Sequence, residues 1–298
     1  MYHRTAGRLK RRDMIEGYLF IAPALFGFVV FMLYPILASL GISFFNWNLS
    51  GRITFAGIGN YARLATDEVF RISLFNTFKW VVVYVPLSIL ASLVLALAMD
   101  LPIRGIRAFR TIFYLPVVSP VLVVALLFVW LYNSEFGLLN YLLSLVGVPP
   151  VGWLTNPKVS IYSIAIMYMW KEAGYNMLII LAALQGIPRQ LYEAAELDGV
   201  TGFKKILYIK LPLLTPAFYY VILTSVIYAF QVFTEIYIMT SGGPGYSTHT
   251  IAYYLWSNAF KYGEMGYACA QAMVLFAIII VVSLIQNKFL GDRVQYDL

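Results

Sequence analysis

The sequence predicts an all-α polytopic membrane protein with six transmembrane helices, and three observations carry that reading. Of 298 residues, 61% are hydrophobic and 12% charged, against about 45–50% and about 25% in a soluble domain. Charge-free runs of spanning length recur along the chain. Lysine and arginine gather in alternate connections. Six helices of about 20 to 25 residues use about 120 to 150 residues, which leaves short loops and excludes a large soluble domain; the mean hydropathy of +0.78 agrees.

The spans follow in order, because a charge at the bilayer centre costs at least about 2.5 kcal/mol. Gly17 to Gly51 lies between Glu16 and Arg52, Trp80 to Met99 between Lys79 and Asp100, and Thr111 to Ser134 between Arg110 and Glu135. These are helices 1 to 3. The run before Gly51 is too long for the apolar core of a signal peptide, so helix 1 reads as an uncleaved anchor. Phe136 to Pro157 is uncharged but carries Gly137, Gly147, Pro149, Pro150, Gly152 and Pro157, which predicts a surface loop. Val159 to Leu184 is helix 4, with Lys171 and Glu172 near its middle. Leu211 to Thr234 is helix 5. Ile236 to Phe260 leaves the membrane at Ser241-Gly-Gly-Pro-Gly, and Met265 to Asn287 is helix 6.

An even number of spans puts both termini on one side. Residues 1–16, 100–110, 185–211 and 288 onward hold fourteen of the Lys and Arg, whereas the opposite connections hold five: Arg52, Arg63, Arg71, Lys158 and Lys261. The positive-inside rule then makes both termini cytoplasmic. The organisation is a basic tail over 1–16, one membrane domain over 17–290 with a cytoplasmic loop at 185–211, and a second tail over 291–298.

Catalytic and metal chemistry find little purchase. There is no Gly-x-x-x-x-Gly-Lys-Ser/Thr phosphate loop, the two histidines, His3 and His249, lie far apart, and a lone Cys269 makes no internal disulfide or cysteine metal site. No cofactor of the chain's own is legible in the sequence, and intramembrane catalysis would fall to Glu172 and Glu235, which lie inside or near helices and which nothing in the sequence pairs.

Between helices 4 and 5, Ile187-Pro-Arg-Gln-Leu-Tyr-Glu-Ala-Ala-Glu-Leu-Asp-Gly199 predicts a helix of about three turns, started by Pro188 and stopped at Gly199. A second short helix over Thr201 to Ile209 follows, and Leu211-Pro212 breaks the chain before helix 5. Ala194 and Ala195 let another surface approach closely, and Glu196 and Asp198 read as solvated charges; a plain solvated amphipathic loop is the competing reading. Inside the membrane, polar groups are costly unless paired or facing a cavity. Lys171, Glu172, Tyr175 and Asn176 share a broad face of helix 4, and Ser225, Tyr228, Gln231, Val232 and Glu235 form a stripe on helix 5. Facing one another, they make a wet cavity with tyrosine rings for sugar faces and amides and carboxylates for hydroxyls. Packing against neighbouring helices is the competing reading of the tyrosines.

The string EAAELDGVTGFKKILYIKLPLLTP at 193–216 resembles the EAA loop of ABC importer permeases, with the Asp-Gly form of the sugar-uptake branch. The likeness extends through WKEAGYNMLIILAALQGIPRQLYEAA at 170–195, SGGPGYSTHTIAYYLWSNAF at 241–260 and FGLLNYLLSLVGVP after helix 3, and is similar to the larger, maltose- or glycerol-phosphate-type permease. The resemblance implies a type I importer in a bacterial or archaeal cell membrane: a second permease, two ATPase subunits that bind ATP and Mg, and an extracytoplasmic solute-binding protein. It implies that Glu193, Ala194, Ala195 and Gly199 dock on the ATPase, and that helices 4 and 5 line the solute path, with Tyr175 and Tyr228 as aromatic contacts. Lys171 looks like a recurrent family feature and leans weakly towards an acidic substrate, so an acidic sugar or glycerol phosphate stays open beside a neutral oligosaccharide. A proton-coupled secondary transporter using Glu172, Glu235 and Lys171 is the alternative of another class; a lipid-linked sugar transferase, with Asp67-Glu68 as its acidic pair, is weaker.

Overall fold

A computed structural model describes residues 2–48 and 51–291, and the side chains from 16 onward with that of Met14. The basic tail therefore falls largely, and the tail over 291–298 almost wholly, outside the described side chains. Helix dominates, at 75% against 3% strand; among the described residues the strand content is a two-stranded hairpin and an isolated bridge between Asn48 and Glu264. In order come α1 (Tyr2–Phe28), a π-helical turn (Val29–Leu33), α2 (Tyr34–Ile42), strands β1 (Phe45–Trp47) and β2 (Ile53–Phe55), α3 (Gly59–Thr66), α4 (Glu68–Met99), α5 (Ile106–Val118), α6 (Val121–Leu131) and α7 (Leu138–Leu145). Then follow α8 (Ser160–Gly186), α9 (Arg189–Leu197), α10 (Phe203–Lys205), a π turn (Ile206–Lys210), α11 (Leu211–Leu213), α12 (Thr215–Phe230), α13 (Thr234–Met239), α14 (Ile251–Trp256), a third π turn (Ser257–Lys261) and α15 (Met265–Gly291).

The chain forms two compact units, one from residues 1–64 with 258–273 and one from 65–257 with 274–298. In the first, the helical run over Glu16–Ile42 buries none of its most apolar window. The chain leaves helix at Ile42, short of the expected end at Gly51, because Ser43 and Asn60 turn it: Ser43 Oγ donates to Leu40 O at 2.6 Å and Asn60 Nδ2 to Ser43 O at 2.9 Å. β1 and β2 then pair antiparallel, Phe45 opposite Phe55 and Trp47 opposite Ile53. Arg63 pairs with Glu264 at 2.8 Å and stacks 4.0 Å above the Tyr267 ring.

The second unit is organised on α4 and α8. Small residues on α4, Ser88, Ser92 and Ala96, are fully buried and recur every four positions, so they line one face and admit close helix approach. Ser92 Oγ reaches Ala173 O of α8 at 3.0 Å. Around them Met99, Met177, Ile180, Leu181, Leu184, Leu214 and Val221 form an apolar core.

Among the described residues three helices, Glu16–Ile42, Glu68–Met99 and Met265–Gly291, are each long and apolar enough to cross a bilayer, and the number rises to at most five if each of two bent pairs is one span. The expected straight helix 3 is one of those pairs: α5 and α6 meet at 97°. Pro116 and Pro120 each lack the N–H an unbroken helix needs, and Ser119 is extended at ψ 137. Helix 5 is the other, bent by 68° at Leu214. Leu211-Pro212 does not break the chain where expected; the helical path runs to Leu213, and the turn comes one residue later, between Pro212 and Pro216. The 136–157 segment is also more ordered than a loop. It holds α7, tied back by Asn140, whose Nδ2 donates to Val151 O at 3.0 Å while its Oδ1 accepts from Val151 N and Trp153 Nε1 at 3.1 and 2.9 Å.

Candidate functional site: a polar cavity and a two-helix knob

Three helices of the second unit converge on a cavity of about 400 Å³. Tyr168, Glu172, Tyr175 and Asn176 come from α8 at i, i+4, i+7 and i+8, which is one face of a helix. Thr224, Ser225 and Tyr228 come from α12, and Tyr84 from α4. The floor is fixed by hydrogen bonds, because Asn176 Nδ2 reaches Ser88 Oγ at 3.4 Å and Ser225 Oγ at 3.3 Å, joining all three helices. Tyr84 stacks on the fully buried Trp80 and tilts against Tyr168 at 4.9 Å between ring centroids. Tyr175 and Tyr228 keep 40% and 64% of their surface exposed. The wall thus offers aromatic faces, hydroxyls, an amide and one carboxylate.

Of the sequence-predicted residues, Glu172, Tyr175, Asn176, Ser225 and Tyr228 come together here. Lys171 does not. Adjacent helical residues lie about 100° apart around the axis, so Lys171 turns towards the α5–α6 break, donating to Glu172 Oε1 at 2.6 Å and Val117 O at 3.4 Å. Gln231, Val232 and Glu235 also fall off the wall, because α12 ends at Phe230 and a new helix begins at Thr234. Gln231 folds back, its Nε2 donating to Ile227 O at 3.1 Å, and Val232 O accepts from Thr250 Oγ1 at 3.1 Å. A stripe drawn on one unbroken helix does not survive that change of axis. Tyr84, Tyr168 and Thr224 were not anticipated. Tyr168 and Thr224 sit four residues before Glu172 and Tyr228, a spacing the sequence displays; Tyr84 needs the α4–α8 packing to be found.

The second candidate is the knob over 189–213. α9 starts after Pro188 and ends with Gly199 at φ +74, the left-handed stop expected of a glycine. Glu193 and Ala194 are exposed and Ala195 is buried, so only the first of the two alanines is open to a partner. Leu197 and Phe203 are 90% and 75% exposed, an apolar rim unusual in water without a partner. Glu196 is not merely solvated: it pairs with Lys205 across the glycine hinge. Lys210 pairs with Asp100 at the end of α4 at 2.7 Å and ties the knob to the helical core.

A third cluster was not legible in the sequence. The 240–250 connection is clasped to α4 by Asn76, whose Nδ2 donates to Tyr246 O at 2.7 Å and His249 O at 3.0 Å, and by Ser73 Oγ, 2.8 Å from His249 Nδ1. Ser73 already donates to Val69 O at 2.7 Å, so Nδ1 carries the hydrogen in that contact. Burial pushes the His249 imidazole down to about 4, only partly opposed by the carboxylate of Asp67. Among the described residues, no group of three or more His, Cys, Asp or Glu is placed to hold a metal ion.

The family described as binding-protein-dependent transport system inner membrane component matches residues 88–295. The chain is 38% identical to the lactose transport system permease protein LacF of Rhizobium radiobacter, over 96% of this chain and 97% of that one. It is 35% identical to the arabinooligosaccharides transport system permease protein AraP of Bacillus subtilis, over 92% and 88%. In fold it matches a chain of a bacterial ABC transporter involved in the import of the acidic polysaccharide alginate, with TM-score 0.83 and 24% identity, over 98% of this chain and all of that one.

Proposed function

This chain belongs to the family of binding-protein-dependent transport system inner membrane components, and from that premise we propose that it forms one half of the sugar path through an ATP-driven importer. The observation that carries the reading is the cavity between α4, α8 and α12, whose tyrosine faces and neutral hydrogen-bonding groups suit a solute rich in hydroxyls. Relatives named for lactose and arabinooligosaccharides point to a disaccharide or oligosaccharide. The α5–α6 pair counts as one span and α12 continued by α13 as another, with 203–213 left to the cytoplasmic knob, and α8, at 27 residues and about 40 Å, supplies the sixth. Both termini then lie in the cytoplasm, as the charge bias requires, and residues 17–290 act as one permease domain.

A second permease completes the cavity, an extracytoplasmic binding protein delivers solute, and two ATPase subunits, which hold ATP and Mg, seat on the knob. Glu193 and Ala194 present the contact, Ala195 anchors α9, and Gly199 sets the angle to the next helix. Glu172, Tyr175, Asn176, Ser225 and Tyr228 touch solute. The path opens outward or inward as ATP below and the loaded binding protein above shift a two-state equilibrium.

Affinity purification from detergent-solubilised native membranes tests the assembly: a second permease and a nucleotide-hydrolysing subunit coelute with this chain. Recovery of the chain alone, with uptake driven by a proton gradient in liposomes, overturns the proposal. For the cavity, Tyr228→Ala raises the solute concentration for half-maximal uptake about tenfold, the value of one lost aromatic contact, while assembly and basal ATP hydrolysis persist. An unchanged half-maximal concentration assigns Tyr228 to packing.

A further inference from the structure

We infer that Glu172 makes this half of the cavity select uncharged, hydroxyl-rich sugars over acidic ones, and that Lys171 is the positioning residue that holds it to that task. The inference rests on the sugar reading above and names the class of sugar. Lys171 and Glu172 form an ion pair at 2.6 Å, but the two ends are not equivalent: the lysine side chain is 8% exposed and the glutamate 25%. Only Glu172 belongs to the cavity wall. The lysine is committed elsewhere, to Glu172 Oε1 and to the carbonyl of Val117 at the 97° break between α5 and α6.

The other groups on the wall, four tyrosines, Asn176, Thr224 and Ser225, are formally neutral. A solute in this half of the cavity therefore meets one carboxylate and no cation. Sugar hydroxyls donate to a carboxylate and their hydrogen bonds to it are the stronger, charge-assisted kind. A uronate, sulfate or phosphate brings a further negative charge beside Glu172, where no cation lines the wall and the nearby Lys171 ammonium is already paired with that carboxylate, and such a mismatch is how a site rejects a competitor. A lysine in the sequence thus does not signal an acidic substrate when its ammonium is spent behind the wall. Its effect is indirect: by pairing with one oxygen at 2.6 Å it fixes the direction in which the neighbouring carboxylate points.

The test uses the whole complex, this chain with its second permease and ATPase subunits, in lipid nanodiscs. Saturation-transfer NMR measures binding of a neutral set, lactose, maltotriose and arabinotriose, and of an acidic set, digalacturonate and trigalacturonate. The expected result is neutral over acidic by about tenfold or more, with the ratio falling towards one in Glu172→Gln. Lys171→Met lowers the same ratio, and Lys171→Arg restores it; a role in packing alone weakens both sets alike and leaves the ratio untouched. Acidic sugars bound as well as neutral ones by the unmodified complex, or a ratio unmoved by Glu172→Gln in a correctly assembled complex, overturn the inference and leave the sugar reading standing. Binding of neither set overturns the sugar reading, and the inference with it.

Discussion

Two glycines mark the contrast between the cavity wall and the knob. At Gly174, on the α8 turn that carries Glu172 and Asn176, a Cβ would run into the carbonyl of Phe113 and sit 3.1 Å from Tyr114 Cα. At Gly199, between the two short helices of the knob, a Cβ would meet nothing within 4 Å, yet the backbone is at φ +74. One glycine is required by space and the other by conformation. The wall is shaped by helices pressed together around buried side chains, with Asn176, Ser225 and Ser88 all buried, whereas the knob is shaped by its own local chain and held by ion pairs at its margins. A substitution at the buried packing behind the wall therefore acts on folding, and one in the knob acts on what the knob touches.

The largest effect follows from Gly174→Val. The obstructing atoms are backbone of α5, which cannot turn aside as a flexible side chain can, so the cost lies at or above the upper end of the about 1–3 kcal/mol typical of overpacking. The expected outcome is loss of the monodisperse protein in size-exclusion chromatography and loss of assembly with its partners. Wild-type assembly with that variant breaks the contrast at its root. Gly199→Val comes next. The left-handed conformation costs a β-branched residue about 1–2 kcal/mol, and open space lets the knob relieve it by changing the angle between its helices. The coupling role proposed for the hinge predicts a normal elution profile with sugar uptake reduced about tenfold or more relative to ATP hydrolysed. Uptake per ATP equal to wild type removes Gly199 from that role.

The same contrast explains what the sequence disclosed. The knob's boundaries at Pro188 and Gly199 follow from rules that act within a few residues, and so were legible. The partition of the wall was legible only where a helix stayed whole. On α8 the spacing of Glu172, Tyr175 and Asn176 holds, but Lys171, one residue earlier, points away, and only the position of Val117 beyond a broken helix decides which neighbour turns inward. On helix 5 the stripe fails after Phe230 because Thr250, eighteen residues downstream, supplies a hydrogen bond to Val232 O in place of helical continuation. Nothing local announces that donor. Tyr84 and the clasp at Ser73, Asn76 and His249 are of the same kind, since Ser73 and His249 lie 176 positions apart.

The clasp sharpens the comparison through pH, because one buried imidazole holds it to α4. His249 in the folded protein binds its second proton only near pH 4, below its ordinary value of 6.5. A base with a lowered folded pKa contributes stability above its unfolded pKa, and that contribution drains as pH falls from about 6.5 towards about 4, where the unfolded chain takes up a proton that the native clasp refuses. Asp67 faces the imidazole and acts in the opposite sense, and it limits the shift without reversing it. The expected outcome is a fall in hydrogen-exchange protection over 240–250, relative to the intrinsic amide rate at each pH, as pH drops from 6.5 to 4, with protection over 189–213 unchanged by this group. His249→Gln, which keeps a polar partner for Ser73, should flatten that dependence; an undiminished pH response in the variant assigns it to other groups.

The smallest effect belongs to the margin of the knob. Lys205 and Glu196 bridge the hinge that Gly199 makes, but the glutamate side chain is 60% exposed and the lysine 22%, so solvent screens the pair and its removal costs under about 1 kcal/mol. Lys205→Ala should leave the melting temperature within about 2 °C of wild type and should not change uptake at saturating solute. The value of the measurement lies in its pairing with Gly199→Val. If the hinge angle is set by the backbone, the charge pair only rides on it, and the two variants differ by the full uptake defect. If Lys205→Ala alone reproduces that defect, the angle is set by the ion pair, and the knob is then held, like the wall, by side chains that meet from different helices.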